Sequence, residues 1–160
     1  MNIAPRHIAL SVAGICLAAL AFALVAQYGF GLRPCNLCLI QRVPFALAAL
    51  LGLAALKDGW PAGTLLRLAG IALVINGGIA VYHVGVEQHW WASAVCSGSQ
   101  QGAVAVADLM AEMSRPAEAQ CDTPAWSFHG ITMAALNVPF SALFGLAVLW
   151  AVRRSKGLTP

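Results

Sequence analysis

Charged side chains are scarce in this chain of 160 residues. Lysine, arginine, aspartate and glutamate together make up only 9% of it, whereas 60% of the residues are hydrophobic. Soluble domains carry about 25% charged residues, so a chain this poor in charge cannot cover a water-facing surface. The net charge of +3 is small and dispersed, which argues against a nucleic-acid-binding protein. The composition therefore predicts a membrane protein.

Four apolar stretches are long enough to cross a bilayer, which takes about 20 helical residues. Because a backbone in lipid must satisfy its own hydrogen bonds, each stretch is expected to be a helix. We predict an all-α integral membrane protein, a single domain over 1–160 built as a four-transmembrane-helix bundle. The predicted spans are 8–27, 37–56, 67–86 and 130–152. The first follows Arg6 as a signal peptide would, but its apolar run is too long for one, so we expect it to be retained.

Basic residues are unevenly distributed between the two sides of these spans. One side holds Arg6, Lys57, Arg67, Arg153, Arg154 and Lys156. The loops 28–36 and 87–129, on the other side, hold five of the six acidic residues, namely Glu87, Asp108, Glu112, Glu118 and Asp122. Short cytoplasmic loops are enriched in Lys and Arg, so both termini are predicted to be cytoplasmic and these two loops to face outward.

Four of the five cysteines fall in the outward loops or at their membrane edge. Cys35 and Cys38 are close enough in sequence to pair, which leaves Cys96 and Cys121 for each other. Thiols on the outward side can become disulfides. Structural disulfides and a four-cysteine zinc site remain alternatives at this point. Cys16 lies in the middle of the first span and is expected to be a small apolar residue.

The first cysteine pair stands where the second span begins. Unsatisfied N–H groups and the helix dipole at that end favour a thiolate, so Cys35 and Cys38 are predicted to be redox-active. Arg42 shares their helical face and could stabilise a thiolate or a developing anion on an oxidant dissolved in the membrane. The alternative is that Arg42 reaches out to lipid headgroups. Pro44 frees the carbonyl of Ile40 and is predicted to open a pocket beside Arg42.

The second outward loop contains a short amphipathic pattern. Its apolar positions are Val106, Leu109, Met110 and Met113, which predicts a helix lying on the membrane surface. A helix docked on a partner protein, or one that is merely solvated, is the alternative. The tryptophans at the loop ends, Trp90, Trp91 and Trp126, are expected to anchor it at the interface.

The run from Pro34 to Arg42, Pro-Cys-Asn-Leu-Cys-Leu-Ile-Gln-Arg, resembles the signature of the bacterial DsbB family. These are disulfide-forming, quinone-reducing proteins of the inner membrane. The resemblance extends to the second cysteine pair and to the pattern Trp126, Gly130, Asn137 entering the last span. It covers nearly the whole chain.

The resemblance implies a role for each matching residue. Cys35 and Cys38 match the membrane-proximal catalytic pair, with Cys38 as the thiolate that engages quinone. Cys96 and Cys121 match the second catalytic disulfide, with Cys96 attacked by the partner's thiolate. Arg42 matches an arginine used in quinone binding, and His83 stands where some members have a histidine near the quinone.

The resemblance also implies ubiquinone or menaquinone as cofactor and a DsbA-like periplasmic thioredoxin-fold protein as partner. Membrane lipid is the other expected contact, and neither nucleic acid nor a metal is expected. The sequence departs from the family's pattern at Gln41, where members often have glutamate. A vitamin K epoxide reductase-like enzyme is a competing interpretation, but its reactive cysteine pair lies near the last span.

Overall fold

A computed structural model describes residues 5–93, 95–96 and 119–155. Helix α1 (Pro5–Leu24) continues into a π-helical turn, π1 (Val25–Gly29). Helices α2 (Asn36–Ala54) and α3 (Ala62–Glu87) follow. The last elements are strands β1 (Ser127–Phe128) and β2 (Ile131–Thr132) and helix α4 (Met133–Arg154). Four helical segments are long and apolar enough to cross a membrane, which confirms the predicted four-helix membrane fold.

The third and fourth helices differ from the predicted spans at their first residues. Helix α3 begins at Ala62, so that Arg67, expected at its start, lies inside the helix. Helix α4 begins at Met133 because a short hairpin, which the sequence analysis missed, precedes it. The turn of that hairpin places His129 and Gly130 at positive φ, the backbone conformation that tight two-residue turns require.

The bundle core is built largely from small and aliphatic side chains of all four helices. Cys16 is fully buried there, as expected for a small apolar residue. Helices α3 and α4 approach closely where Gly70 faces Gly145, since a β-carbon at Gly145 would lie 2.8 Å from the Gly70 carbonyl oxygen. Close packing through small residues is the usual way in which helices associate in lipid. It brings the polar residues of α4 against those of α3.

The outward end of α3 is covered by Trp91, in the segment that directly follows the helix. The Trp91 ring stacks on Tyr82, with centroids 5.8 Å apart, and its Nε1 donates a 3.2 Å hydrogen bond to the Tyr82 carbonyl. Trp91 therefore folds back onto α3, a contact that the expected anchoring role did not include. The predicted amphipathic helix over 106–113 lies outside the described residues.

Candidate active site

The first cysteine pair lies at the amino-terminal end of α2. Cys35 is the N-cap residue, and its Sγ accepts a 3.3 Å hydrogen bond from the backbone N–H of Cys38. The two Sγ atoms lie 2.8 Å apart without a covalent bond. A helix N-terminus presents free N–H groups and the positive end of its dipole, so it is suited to a sulfur anion.

The pKa of the Cys35 thiol is lowered to about 4. The largest cause is the hydrogen bond from the Cys38 side chain, and the hydrogen bond from His83 also lowers it, against the effect of burial. A thiolate that accepts several hydrogen bonds is stabilised relative to the thiol. Cys35 therefore carries the negative charge of the reduced pair.

The second cysteine pair is a disulfide that packs directly against the first. Cys96 and Cys121 are bonded, with Cα atoms 6.1 Å apart, and form one buried cluster with Cys35, Leu37 and Val86. The side chain of Asn36 donates a 3.1 Å hydrogen bond to the Val95 carbonyl and so ties the start of α2 to the chain just before Cys96. All four cysteines that the sequence singled out are thus brought together.

Both residues of this disulfide are buried, Cys121 more completely than Cys96. Cys96 is 9% exposed and Cys121 is 3% exposed. A pocket of about 230 Å³ reaches both, between the end of α3 and the chain that carries Cys121. While Cys96 and Cys121 are bonded to each other, they cannot act as ligands of a four-cysteine zinc site.

Arg42 lies one helical turn beyond Cys38, and a residue of a neighbouring element fixes its position by a hydrogen bond. Its Nη1 donates a 2.7 Å hydrogen bond to Oε1 of Gln27, in the π-helical turn. Short π-helical insertions are frequent at functional sites because they redirect the side chains that follow. The sequence analysis identified Arg42 and missed Gln27, since no residue pattern marks a π turn.

A large apolar cavity of about 910 Å³ lies between α1, α2 and α4. Most of its lining is apolar. The polar and charged lining residues are Gln27, Arg33, Cys38, Gln41, Arg42, His83 and Asn137. Arg42 lines this cavity, but Pro44, from which a pocket beside Arg42 was predicted, is not among the lining residues. Small-molecule sites commonly have this size and this combination of an apolar wall with a few convergent polar groups.

His83 reaches both the cavity and the first cysteine pair. Its Nε2 lies 3.5 Å from Cys35 Sγ, and its Nδ1 lies 2.9 Å from Nε2 of Gln41. The Sγ atoms of Cys35 and Cys38 and a ring nitrogen of His83 lie within 4.8 Å of one another, close enough to act as ligands of one metal ion. The structure therefore places His83 beside the sulfurs as well as at the cavity.

An acidic residue that the sequence analysis did not select completes the surroundings of His83. Oε1 of Glu87 lies 3.8 Å from His83 Nε2. The other carboxylate oxygen of Glu87 accepts a 2.6 Å hydrogen bond from the hydroxyl of Thr132. Glu87 is only 9% exposed, and its position four residues after His83 was the available sign that both share one face of α3.

Comparison with known proteins gives a consistent result. A sequence model of the family described as "Disulfide bond formation protein DsbB" matches residues 5–151. A disulfide bond formation protein B from Aromatoleum aromaticum is 27% identical over 158 residues, which is 95% of each chain. One from Polaromonas naphthalenivorans is also 27% identical, over 94% of this chain and 93% of its own. One from Chromobacterium violaceum is 48% identical over 59 residues, 36% of each chain. No solved structure matches the chain significantly.

Proposed function

Because this chain belongs to the disulfide bond formation protein B family and is a membrane disulfide oxidoreductase, we propose that its electron acceptor is a membrane quinone. We propose further that its electron donor is a reduced DsbA-like protein of the thioredoxin fold in the periplasm. Cys96, Cys121, Cys35 and Cys38 carry the electrons between them.

The position of Cys38 is the observation that supports this function best. Its sulfur lies 2.8 Å from that of Cys35, which packs with the Cys96–Cys121 disulfide. Cys38 also lines the large cavity together with Arg42. A single residue thus borders both the cysteine cluster and the larger of the two described cavities.

The exchange steps follow from thiol chemistry. A thiolate of the partner attacks Sγ of Cys96, the less buried residue of the disulfide, and Cys121 leaves as a thiolate. In the oxidised first pair, Cys121 attacks Sγ of Cys35, and Cys38 leaves as a thiolate at the cavity wall. The partner's second thiol displaces Cys96 and releases the oxidised partner. Cys96 then attacks Cys121, which restores the second disulfide and releases Cys35 as a thiolate, so that the reduced first pair holds the two electrons. When Cys35 and Cys38 rejoin as a disulfide, the two electrons pass to the acceptor together with the two protons of the partner's thiols.

The cavity residues fit a quinone. A quinone bound there would accept two electrons and two protons and become a hydroquinone. Arg42 supplies a fixed positive charge where negative charge develops, first on Cys38 and then on an acceptor oxygen. The aromatic rings of Phe45 and Phe140, with centroids 6.0 Å apart, and the other apolar lining residues suit the ring and its tail.

The same proposal fixes the orientation of the chain. The loops that carry the cysteines face the periplasm, where disulfides persist, and both termini face the cytoplasm across the bacterial inner membrane.

Quinone reduction by the purified protein tests this function. The protein in detergent is mixed with a reduced thioredoxin-fold dithiol protein and with ubiquinone or menaquinone, and the loss of quinone absorbance is followed. We expect steady turnover with one of the two quinones. Cys38→Ala should abolish turnover, and Cys96→Ala should prevent oxidation of the protein dithiol.

Cys16→Ala is the matched control, because Cys16 is buried in the bundle core and does not line the cavity. It should keep full turnover. Absence of quinone reduction by the intact protein, or undiminished turnover by Cys38→Ala, would overturn the proposal.

A further inference from the structure

Several polar side chains lie inside the bundle, where the proposed electron transfer does not use them directly. Asn76 and Ser141 are fully buried, and Gln41 is 7% exposed. Polar groups within membrane-spanning segments are costly, so they usually serve a function. Here they form one chain of hydrogen bonds that ends at the first cysteine pair.

The far end of this chain lies between α3 and α4. Asn76 Nδ2 donates a 2.9 Å hydrogen bond to Ser141 Oγ. The Ser141 hydroxyl in turn donates a 2.7 Å hydrogen bond to Oδ1 of Asn137, one turn earlier on α4. Because Oδ1 of Asn137 is the acceptor, its Nδ2 is directed away from Ser141 and toward α2.

The near end of the chain fixes the orientation of Gln41. Asn137 Nδ2 donates a 2.6 Å hydrogen bond to Oε1 of Gln41. The amide nitrogen of Gln41 therefore faces His83, 2.9 Å from Nδ1. An amide nitrogen can only donate, so Nδ1 must be the acceptor and carry no hydrogen.

We infer that Gln41 and Asn137 are positioning residues that hold His83 as the Nε2–H tautomer, with this N–H directed at the sulfur of Cys35. A neutral imidazole has one N–H, and with Nδ1 accepting, it is on Nε2, 3.5 Å from Cys35 Sγ. The hydrogen bond stabilises the Cys35 thiolate. Gln41, at the position where family members often have glutamate, thereby orients the His83 ring.

The other groups around His83 agree with this tautomer. Glu87 presents Oε1 3.8 Å from Nε2, so a hydrogen on Nε2 also lies toward a carboxylate. Cys38 is a further titratable group nearby, and the charged Arg33 also lines the cavity. Arg42 lines the same cavity but directs its Nη1 to Gln27. No described contact of His83 favours a hydrogen on Nδ1.

A metal ion bound by Cys35, Cys38 and His83 would require the opposite tautomer. A metal on Nε2 leaves the hydrogen on Nδ1, where it would face the amide hydrogens of Gln41. The hydrogen-bond chain therefore favours a redox pair over a metal site at these three residues.

Nitrogen NMR of the histidine rings tests the inference. The protein is labelled with ¹⁵N-histidine, held reduced in detergent, and compared with His83→Phe to identify the His83 signals. The ¹⁵N chemical shifts distinguish the two neutral tautomers. We expect His83 to be the Nε2–H form.

Two variants should move the hydrogen to Nδ1. A carboxylate in Gln41→Glu accepts a hydrogen bond from Nδ1–H. In Asn137→Asp, the ionised carboxylate at residue 137 can only accept a hydrogen bond, so the Gln41 amide turns and presents its oxygen to Nδ1, although Gln41 itself is unchanged. In Asn137→Asp, which adds no charge next to the ring, the midpoint of the thiolate absorbance titration of Cys35 should rise by about one pH unit. Gln27→Glu, a matched change at a glutamine bonded to Arg42, should leave the His83 signals unaltered.

An Nδ1–H ring in the unaltered protein, or unchanged ring signals in both Gln41→Glu and Asn137→Asp, would overturn the inference. The inference rests on the proposed function only for the redox role of Cys35 and Cys38. The NMR measurement itself uses neither partner nor quinone. The expected tautomer without quinone reduction would overturn the proposed function alone. Quinone reduction with the wrong tautomer would overturn only the inference.

Discussion

Arg42 and Gln27 are joined by a 2.7 Å hydrogen bond that links α2 to the π-helical turn at the end of α1. The guanidinium has several donors and needs an oriented acceptor to hold one position. Gln27 supplies that acceptor from the wall of the same cavity. The electrostatics near Cys38 therefore depend on the conformation of an element that carries no cysteine.

Replacement of Gln27 by alanine should weaken quinone use without stopping electron transfer. Arg42 loses its positioning partner, so the KM for quinone is expected to rise about tenfold, the low end of what a hydrogen bond to a charged group contributes. The value of kcat at saturating quinone should change little. Gln27→Glu, which keeps an acceptor oxygen, should restore most of the affinity. An unchanged KM in Gln27→Ala would show that Arg42 does not need this contact.

The reduced first pair should ionise at low pH. The pKa of Cys35 is lowered to about 4, so its thiolate is present above that pH and is lost as the pH falls through it. In a protein with Cys16, Cys96 and Cys121 replaced by alanine, ultraviolet thiolate absorbance should show one ionisation near pH 4.

Further replacement of Cys38 by alanine removes the largest cause of the shift and should move this ionisation upward. Replacement of Cys35 instead should remove the low-pH step. A first ionisation near the ordinary thiol pKa of about 8.5 would contradict the assignment.

Gly85→Ala should disturb the attachment of the second cysteine pair. A β-carbon at Gly85 would overlap the ring of Trp91, which must then leave its place on Tyr82. We expect oxidation of the protein dithiol to slow several-fold, because Trp91 holds the chain that leads to Cys96. The low-pH ionisation of Cys35 in the reduced first pair should be unaltered, because the groups that lower its pKa are Cys38 and His83.

Gly78→Ala is the matched control on the same helix, since a β-carbon at Gly78 meets nothing within 4 Å. Equal slowing in both variants would mean that helix α3 itself, and not Trp91, is responsible.

Thr132→Val should destabilise the start of α4. The Thr132 hydroxyl donates to Glu87 and accepts a 3.1 Å hydrogen bond from the N–H of Ala135 as the N-cap. Loss of both is expected to lower the free energy of unfolding by about 1–2 kcal/mol, measured by equilibrium unfolding in a denaturing detergent. Thr132→Ser keeps the hydroxyl and should behave as the unaltered protein. Equal stability of all three proteins would exclude the capping role.

The sequence predicted well what depends on one segment at a time. The length and polarity of each apolar run predicted the four helices, and the spacing of Cys35, Cys38 and Arg42 placed them at one end of one helix. A shared helical face is a local property and needs no knowledge of the neighbouring helices.

Relationships between helices could not be predicted in this way. Gln41 and Asn137 are far apart in sequence, and their contact depends on how α2 and α4 are rotated about their own axes. The same holds for Glu87 and Thr132. Gln27 could not be predicted because it lies in a π-helical turn. Such a turn changes the direction of its side chains, and no residue type indicates in the sequence where it occurs. The hairpin before α4 could not be predicted because its strands have only two residues each.

The burial of Cys35 beneath the loop disulfide has a consequence for fidelity. Cys35 packs in one buried cluster with Leu37, Val86 and the Cys96–Cys121 bridge, and the residue is only 5% exposed. Small thiols dissolved in the surrounding water have no open approach to it, while the bridge stands directly beside it. The packing therefore favours reduction of Cys35 through the Cys96–Cys121 bridge over reduction by other thiols.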